Sequence, residues 1–133
     1  MSGFRLQIVT PDGSLFDGEA EALRVCTTQG YVSIRRGHAD YLAALTVGAV
    51  TVTQDGVQRE AACGGGFLSV EKGEVRLVAT TFEYADMIDV ERAERAKETA
   101  QSRIAAATEA REIELAKAKL ARALNRLSVA NGK

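Results

Sequence analysis

Hydrophobic and polar residues alternate one for one along the first part of the chain, in FRLQIVT, EALRVC, AVTVT and EVRLVA. A period of two puts successive side chains on opposite faces, so each stretch predicts a half-buried strand with one face toward a core. Turn-forming residues punctuate the same region at Pro11-Asp12-Gly13, Gly30, Gly37, Gly48, Asp55-Gly56, Gly64 to Gly66 and Lys72-Gly73. Short strands at that spacing predict an antiparallel β-sandwich, two small sheets facing each other to bury both apolar faces.

The period changes at Asp89. Ala93, Ala96, Ala100, Ile104 and Ala107 recur every three or four residues, as do Ile113, Ala116, Leu120, Leu124 and Leu127. That is the spacing of two helical seams. No Gly or Pro interrupts residues 89–130, and Ala, Glu, Lys and Arg dominate them. The first seam is nearly all alanine, which lets two helix axes approach closely, so the chain is expected to fold back at Thr108 as an antiparallel two-helix hairpin. Alanine buries little area. At about 25 cal/mol per Å² the hairpin gains roughly a few kcal/mol from its own packing, so the arm is expected to open where a partner offers a better surface. The expected organisation is a β-sandwich over residues 1–86 and a movable helical arm over residues 87–133.

Composition supports a folded chain: of 133 residues, 46% are hydrophobic and 26% charged, enough for one ordinary core with an appendage. No run approaches the ~18 apolar residues of a membrane span, and MSGFRLQIVT lacks the basic and apolar regions of a signal peptide, so a cytosolic setting is expected. The net charge of −1 conceals an asymmetry: residues 1–88 carry 7 basic and 11 acidic side chains, residues 89–133 carry 10 and 7. From Leu115 onward there are five cations and no carboxylate side chain. Cations late in a helix complement its macrodipole, and the same segment suits an anionic partner.

Candidate chemistry is sparse. Cys26 and Cys63 lie far apart without CxxC spacing, and His38 is the single histidine, so buried free thiols are expected and no metal site. There is no GxSxG or HExxH, and the carboxylates Glu19, Glu21, Glu71 and Glu74 read as solvated surface, so no catalytic residue is assigned. In CGGGF the glycines are followed by Phe67-Leu68 rather than the lysine and hydroxyl residue of a phosphate loop, which predicts a bend or bulge. No cofactor is required. IDVERA is richer: Asp89 is placed to cap a helix by accepting from the backbone N–H of Glu91 or Arg92, and Asp89 and Arg92 stand at ion-pair spacing. Arg122 and Arg126, one turn apart, share a helix face.

Five segments in order, VTPDGSLFDGEAEALRV, GYVSIRRGHADYL, GGGFLSV with VRLVA, IDVERA and LARALNRLSVA, resemble the epsilon subunit of the bacterial F-type ATP synthase across the whole chain. The resemblance implies a non-catalytic central-stalk subunit whose sandwich sits between the gamma subunit and the c-ring, coupling the rotor during proton- or sodium-driven ATP synthesis. It implies that the helical pair inhibits ATP hydrolysis by extending into the alpha/beta catalytic head. A peripheral place on the cytoplasmic side of the bacterial inner membrane, and no nucleic-acid partner, follow from the same likeness. Tyr31 and Arg36 stand where family members usually carry an acidic residue and a proline, and with His38 they mark the implied c-ring or gamma contact. Ile88, Asp89, Arg92 and Ala93 match the Ile/Leu-Asp-x-x-Arg-Ala segment of epsilon subunits that bind ATP, while Glu83, Arg122 and Arg126 match the rest of that set. ATP is thus implied as a regulatory ligand that stabilises the closed hairpin. Thr99 replaces a further arginine of strong binders, which implies weaker binding. Two other readings of the residues are a stand-alone adaptor or chaperone gripping client helices, and a soluble ATP-sensing module outside any synthase.

Overall fold

A computed structural model gives the fold and describes residues 3–132. Among them the strands are β1 (Phe4–Thr10), β2 (Gly13–Ala20), β3 (Ala22–Thr27), β4 (Gly30–Arg35), β5 (Tyr41–Gln54), β6 (Val57–Glu71), β7 (Glu74–Ala79) and β8 (Phe82–Tyr84). A 3-10 turn over Ala85–Met87 precedes helices α1 (Val90–Ala106) and α2 (Ala110–Ala130). The chain divides into two compact units, one ending at Tyr84 and the other beginning at Ala85.

In the first unit the alternating positions form the core. Phe4, Leu6 and Ile8 of β1, Leu23 and Val25 of β3, and Val75, Leu77 and Ala79 of β7 are all buried in one cluster. Each fully buried Leu or Ile contributes about 1.5–3 kcal/mol relative to exposure. The hydrogen-bonded order is β2-β1-β7-β6-β5-β3-β4, with β8 also paired to β6. The sandwich is therefore one continuous sheet whose layers share β5 and β6, and β1 pairs with β7 in parallel while the remaining pairs are antiparallel.

Gly48, expected as a turn, and the run Gly64 to Gly66, a turn signal that the motif reading makes a bend or bulge, lie inside the long strands β5 and β6. They are bends. On β5 the buried positions change from Leu45 to Gly48, Val50 and Val52, and on β6 from Ala61, Cys63 and Gly65 to Leu68 and Val70. Odd and even positions exchange faces on both strands at the same place, although the pairing keeps its register from Tyr41↔Val70 to Gln54↔Val57. The reversal lets one hairpin serve both layers, since a one-residue phase change moves every side chain to the opposite face. Glycine is required there by contact as well as conformation. Gly66 has φ 142°, and a Cβ on it would collide with the Val78 carbonyl oxygen. Real hairpin turns occur at Asp55-Gly56 (φ 52° and 76°) and Lys72-Gly73 (φ 52° and 80°), whose paired positive angles match the right-handed twist of the strands.

The second unit is the helical hairpin. It reverses without Gly or Pro because Ala107 and Glu109, at ψ 139° and 141°, adopt extended backbone on either side of Thr108. Helices α1 and α2 pack together, with Ala93 and Ala100 of α1 and Ala116, Ala123 and Leu127 along one face of α2 all buried. Two seam positions differ from the sequence expectation: Ala96 and Leu124 are exposed, and Ala123 is fully buried. The buried alanines recur seven apart, at 93 and 100 and at 116 and 123, so the seam follows the heptad repeat of two closely packed helices.

Candidate functional site

The start of the arm is built by a helix cap. Asp89 takes extended angles (φ −81°, ψ 99°), and its Oδ1 accepts the backbone N–H of Arg92 at 3.0 Å. This satisfies one of the donors that a helix start leaves orphaned, and places a carboxylate at the positive end of the helix. Asp89 engages the backbone of Arg92, whereas the ion pair on this turn joins Arg95 to Glu91 at 4.0 Å. Ile88, just before the cap, is 9% exposed, and Ala93 is buried in the helix interface. The end of α2 returns to this junction, since α2 packs against the 3-10 turn over Ala85–Met87. Glu83 lies on β8 in the sandwich unit, opposite Ala62 of β6.

Between the helices runs a groove of about 330 Å³. Its walls carry Arg103 of α1 and Lys119, Arg122 and Arg126 of α2, with Thr99 offering a hydroxyl and Ala96 and Ala100 leaving it open. Among the described residues no carboxylate lines it. Arg122 and Arg126 are half-buried, while Arg103 and Lys119 are exposed. The structure thus brings Arg122 and Arg126 together on one groove, whose lining on α1 begins one turn beyond Arg92. Arg103 and Lys119 were not assigned to a site from sequence. Their signal was the spacing of Lys119, Arg122 and Arg126 at i, i+3 and i+7, which places three cations on one face of α2. A second cavity, of about 290 Å³, adjoins it toward the hairpin bend, shares Arg103 and Lys119, and carries Glu112 and Leu115.

The residues marked on the sandwich occupy β4 and the loop after it. Tyr31 is 48% exposed, with the Arg24 guanidinium 4.0 Å from its ring centre. The turn after β4 holds Arg36, exposed, and His38, whose Nδ1 donates to the Ala39 carbonyl at 2.7 Å and whose ring meets Tyr41 edge-on. Farther along the sheet, Leu42 is 74% and Phe67 47% exposed, and the register Ala44↔Phe67 sets them on one face of the β5–β6 pair. This is an apolar surface of the sort that marks protein contacts.

Neither cysteine is in a disulfide, and the two differ. Cys63 is buried in the core, and burial pushes its thiol above the ordinary value against a weaker lowering by a backbone hydrogen bond of Gly65. Cys26 is half-buried on β3. Among the described residues no group of three or more His, Cys, Asp or Glu is arranged to hold a metal ion, and no helix is long and apolar enough to cross a membrane.

Both units match family models. Residues 3–85 match the beta-sandwich domain of the ATP synthase delta/epsilon chain, and residues 86–131 match the long alpha-helix domain of the same chain. The ATP synthase epsilon chain of Ruminococcus albus is 42% identical, covering 100% of both chains. That of Bacillus velezensis is 39% identical, covering 98% of each. In fold, the chain is similar to one in the Euglena gracilis mitochondrial ATP synthase, solved as OSCP/F1/c-ring, with a TM-score of 0.80 at 19% identity, covering 91% of this chain and 77% of that one. It is also similar to one in the central stalk and c-ring of the Tetrahymena thermophila mitochondrial ATP synthase, with a TM-score of 0.67 at 13% identity and 95% of each chain covered. With both domains matched in order and relatives alike from end to end, the chain belongs to the epsilon-subunit family of the F-type ATP synthase.

Proposed function

We propose that this central-stalk subunit is a non-catalytic rotor coupler and a brake on ATP hydrolysis, with ATP as the ligand that holds the brake off. The sandwich supplies the coupling surface. Its exposed Leu42 and Phe67 suit a gamma subunit, and the turn carrying Arg36 and His38, with Tyr31 nearby, suits the c-ring. The structural relatives in Euglena and Tetrahymena belong to assemblies of this composition. A peripheral seat on the cytoplasmic face of the bacterial inner membrane follows from that role.

The observation that carries the brake is the thinness of the hairpin interface. Four buried alanines, at about 0.8 kcal/mol per methyl-sized group, contribute about 3 kcal/mol of apolar burial, and Leu127 adds about 1.5–3 kcal/mol, a small total for two helices. A helix offered acidic partners in the alpha/beta head can exchange that packing for contacts to its carboxylate-free segment from Leu115 onward. ATP opposes the exchange. The proposed set of Ile88, Asp89, Arg92, Ala93, Arg122 and Arg126, with Glu83, spans both helices, so only the closed hairpin assembles its helical part, and a ligand shifts a conformational equilibrium toward the form it binds.

Reconstituting the synthase with a chain ending at Asp86 is expected to raise its ATPase rate, and an unchanged rate would remove the brake. Titrating ATP onto the full chain by calorimetry tests the ligand. Binding is expected to be lost in Arg126→Ala and in Asp89→Ala, with Asp89→Asn separating the two duties of that residue because the amide still caps the helix. Heat that survives the Asp89→Ala and Arg126→Ala substitutions would place the site elsewhere.

A further inference from the structure

We infer that the outer face of the sandwich across β4, β3, β5 and β6 carries an oxyanion site, a notch over Ala22 that takes a phosphate group between Arg24 and Arg35. A cavity of about 270 Å³ opens there, wholly within the sandwich unit, so the site is independent of the arm and of ATP. Register builds it. Ser33, Arg24 and Thr51 lie directly opposite one another on β4, β3 and β5, and Arg35, Ala22 and Thr53 form the next row on the same face. Ala22 is the apolar position of the two rows, and its short side chain leaves a dent between longer neighbours. The rows lie beyond the bend in β5 from Leu42, so they are separate from the coupling surface proposed above.

Charge and shape select the ligand. Arg24 and Arg35 are diagonal neighbours on adjacent strands, about 7–8 Å apart at the backbone, so two long side chains can meet one anion. Among the described residues neither forms an ion pair, and Arg24 is braced instead by the Tyr31 ring, whose centre is 4.0 Å from its guanidinium. Glu60, the carboxylate of the lining, stands opposite Thr51 on β6, two strands or about 10 Å from Arg24, too far to neutralise it. Two guanidiniums around a shared space repel each other, and an oxyanion relieves that repulsion while accepting from both. The hydroxyls of Thr51 and Thr53, half-buried, add donors from the floor, and Ser33 adds one from β4. Donors on three sides suit a tetrahedral phosphate better than a planar carboxylate.

The test is residue-resolved: amide shifts of the full chain by NMR during titration with sodium phosphate, in low-salt buffer free of other oxyanions. Acetate serves as the planar anion and glycerol 3-phosphate as a monoester. Phosphate is expected to shift residues 22–24, 33–35 and 51–53 saturably, and at lower concentration than acetate. Arg35→Gln is expected to weaken that response about tenfold, the loss of one charge-assisted contact. Ala22→Val fills the notch with a residue that suits a strand, keeps every charge, and is expected to weaken the response as much. Arg76→Gln, which removes an exposed cation on β7 outside the site, is expected to leave it within about twofold. The same spectra check the fold of each variant. Tighter binding of glycerol 3-phosphate would make a phosphate monoester the ligand, and tighter binding of phosphate the free ion. Shifts confined to the helices, acetate matching phosphate, indifference to either Arg35→Gln or Ala22→Val, or an equal effect from Arg76→Gln would each overturn the inference.

Discussion

Single residues here are set by what surrounds them more than by their type. The two cysteines show it. Cys63 is 2% exposed in the sandwich core, while Cys26, on β3, is half-buried. Iodoacetamide on the native protein at pH 8 is therefore expected to label Cys26 first and Cys63 only on unfolding, read by mass spectrometry of proteolytic peptides. Equal labelling would contradict the core placement. The raised Cys63 thiol carries a pH consequence with a definite sign. The folded state holds that proton more tightly than the unfolded chain, so the contribution is complete below the unfolded value near pH 8.5 and is lost as pH rises through the folded value. Urea midpoints are expected to fall above about pH 8.5, and Cys63→Ala should remove that part of the fall.

Elements were legible wherever one periodicity decided them. β1, β3 and β7 bury every second residue as their alternation predicts, and the hairpin bends at Thr108 because the helical spacing restarts there. Glycine was ambiguous. The freedom that lets it form a turn also lets it form a bend within a strand, so Gly48 reads as a turn although β5 runs through it, while Gly64 to Gly66 carry both signals and bend β6. The parallel pairing of β1 with β7 was likewise hidden, since parallel and antiparallel strands share a period of two. Ala123 and Leu124 compete for one seam position, and only the rotation of α2 against α1 chooses between them. The spacing of Lys119, Arg122 and Arg126 put three cations on one face of α2, but only the rotation of the helices shows that this face lines the groove with Arg103. The bend in β6 is testable. Gly66→Ala forces a side chain into a φ of 142° and against the Val78 carbonyl, and is expected to cost at least about 3 kcal/mol or prevent folding. Gly56→Ala, at φ 76° with open space around it, is expected to cost about 1–2 kcal/mol in urea denaturation. Similar losses at both positions would mean that the bend carries no special contact.

At the scale of the molecule, the sandwich and the arm are asked for opposite properties. The sandwich, with its aliphatic core, suits a permanent rotor seat. The arm is held closed by alanine, so small changes in its seam are expected to move its equilibrium by amounts that matter to the whole enzyme. Ala123 is fully buried between the helices, and Ala123→Leu adds three carbons where there is no space. Overpacking costs about 1–3 kcal/mol, comparable to the roughly 3 kcal/mol that the four-alanine seam contributes. The substitution should therefore splay the hairpin while leaving the sandwich folded. If ATP requires the closed arm, binding weakens in proportion to the closed fraction lost, approaching about tenfold per 1.4 kcal/mol once the open form predominates. If the open arm is the brake, the reconstituted enzyme should hydrolyse ATP more slowly with Ala123→Leu than with Ala118→Leu, the same change at an exposed position of α2. Weaker ATP binding and deeper inhibition must appear together, since both report one equilibrium. Either effect without the other would show that closure of the hairpin and release of the brake are separate events.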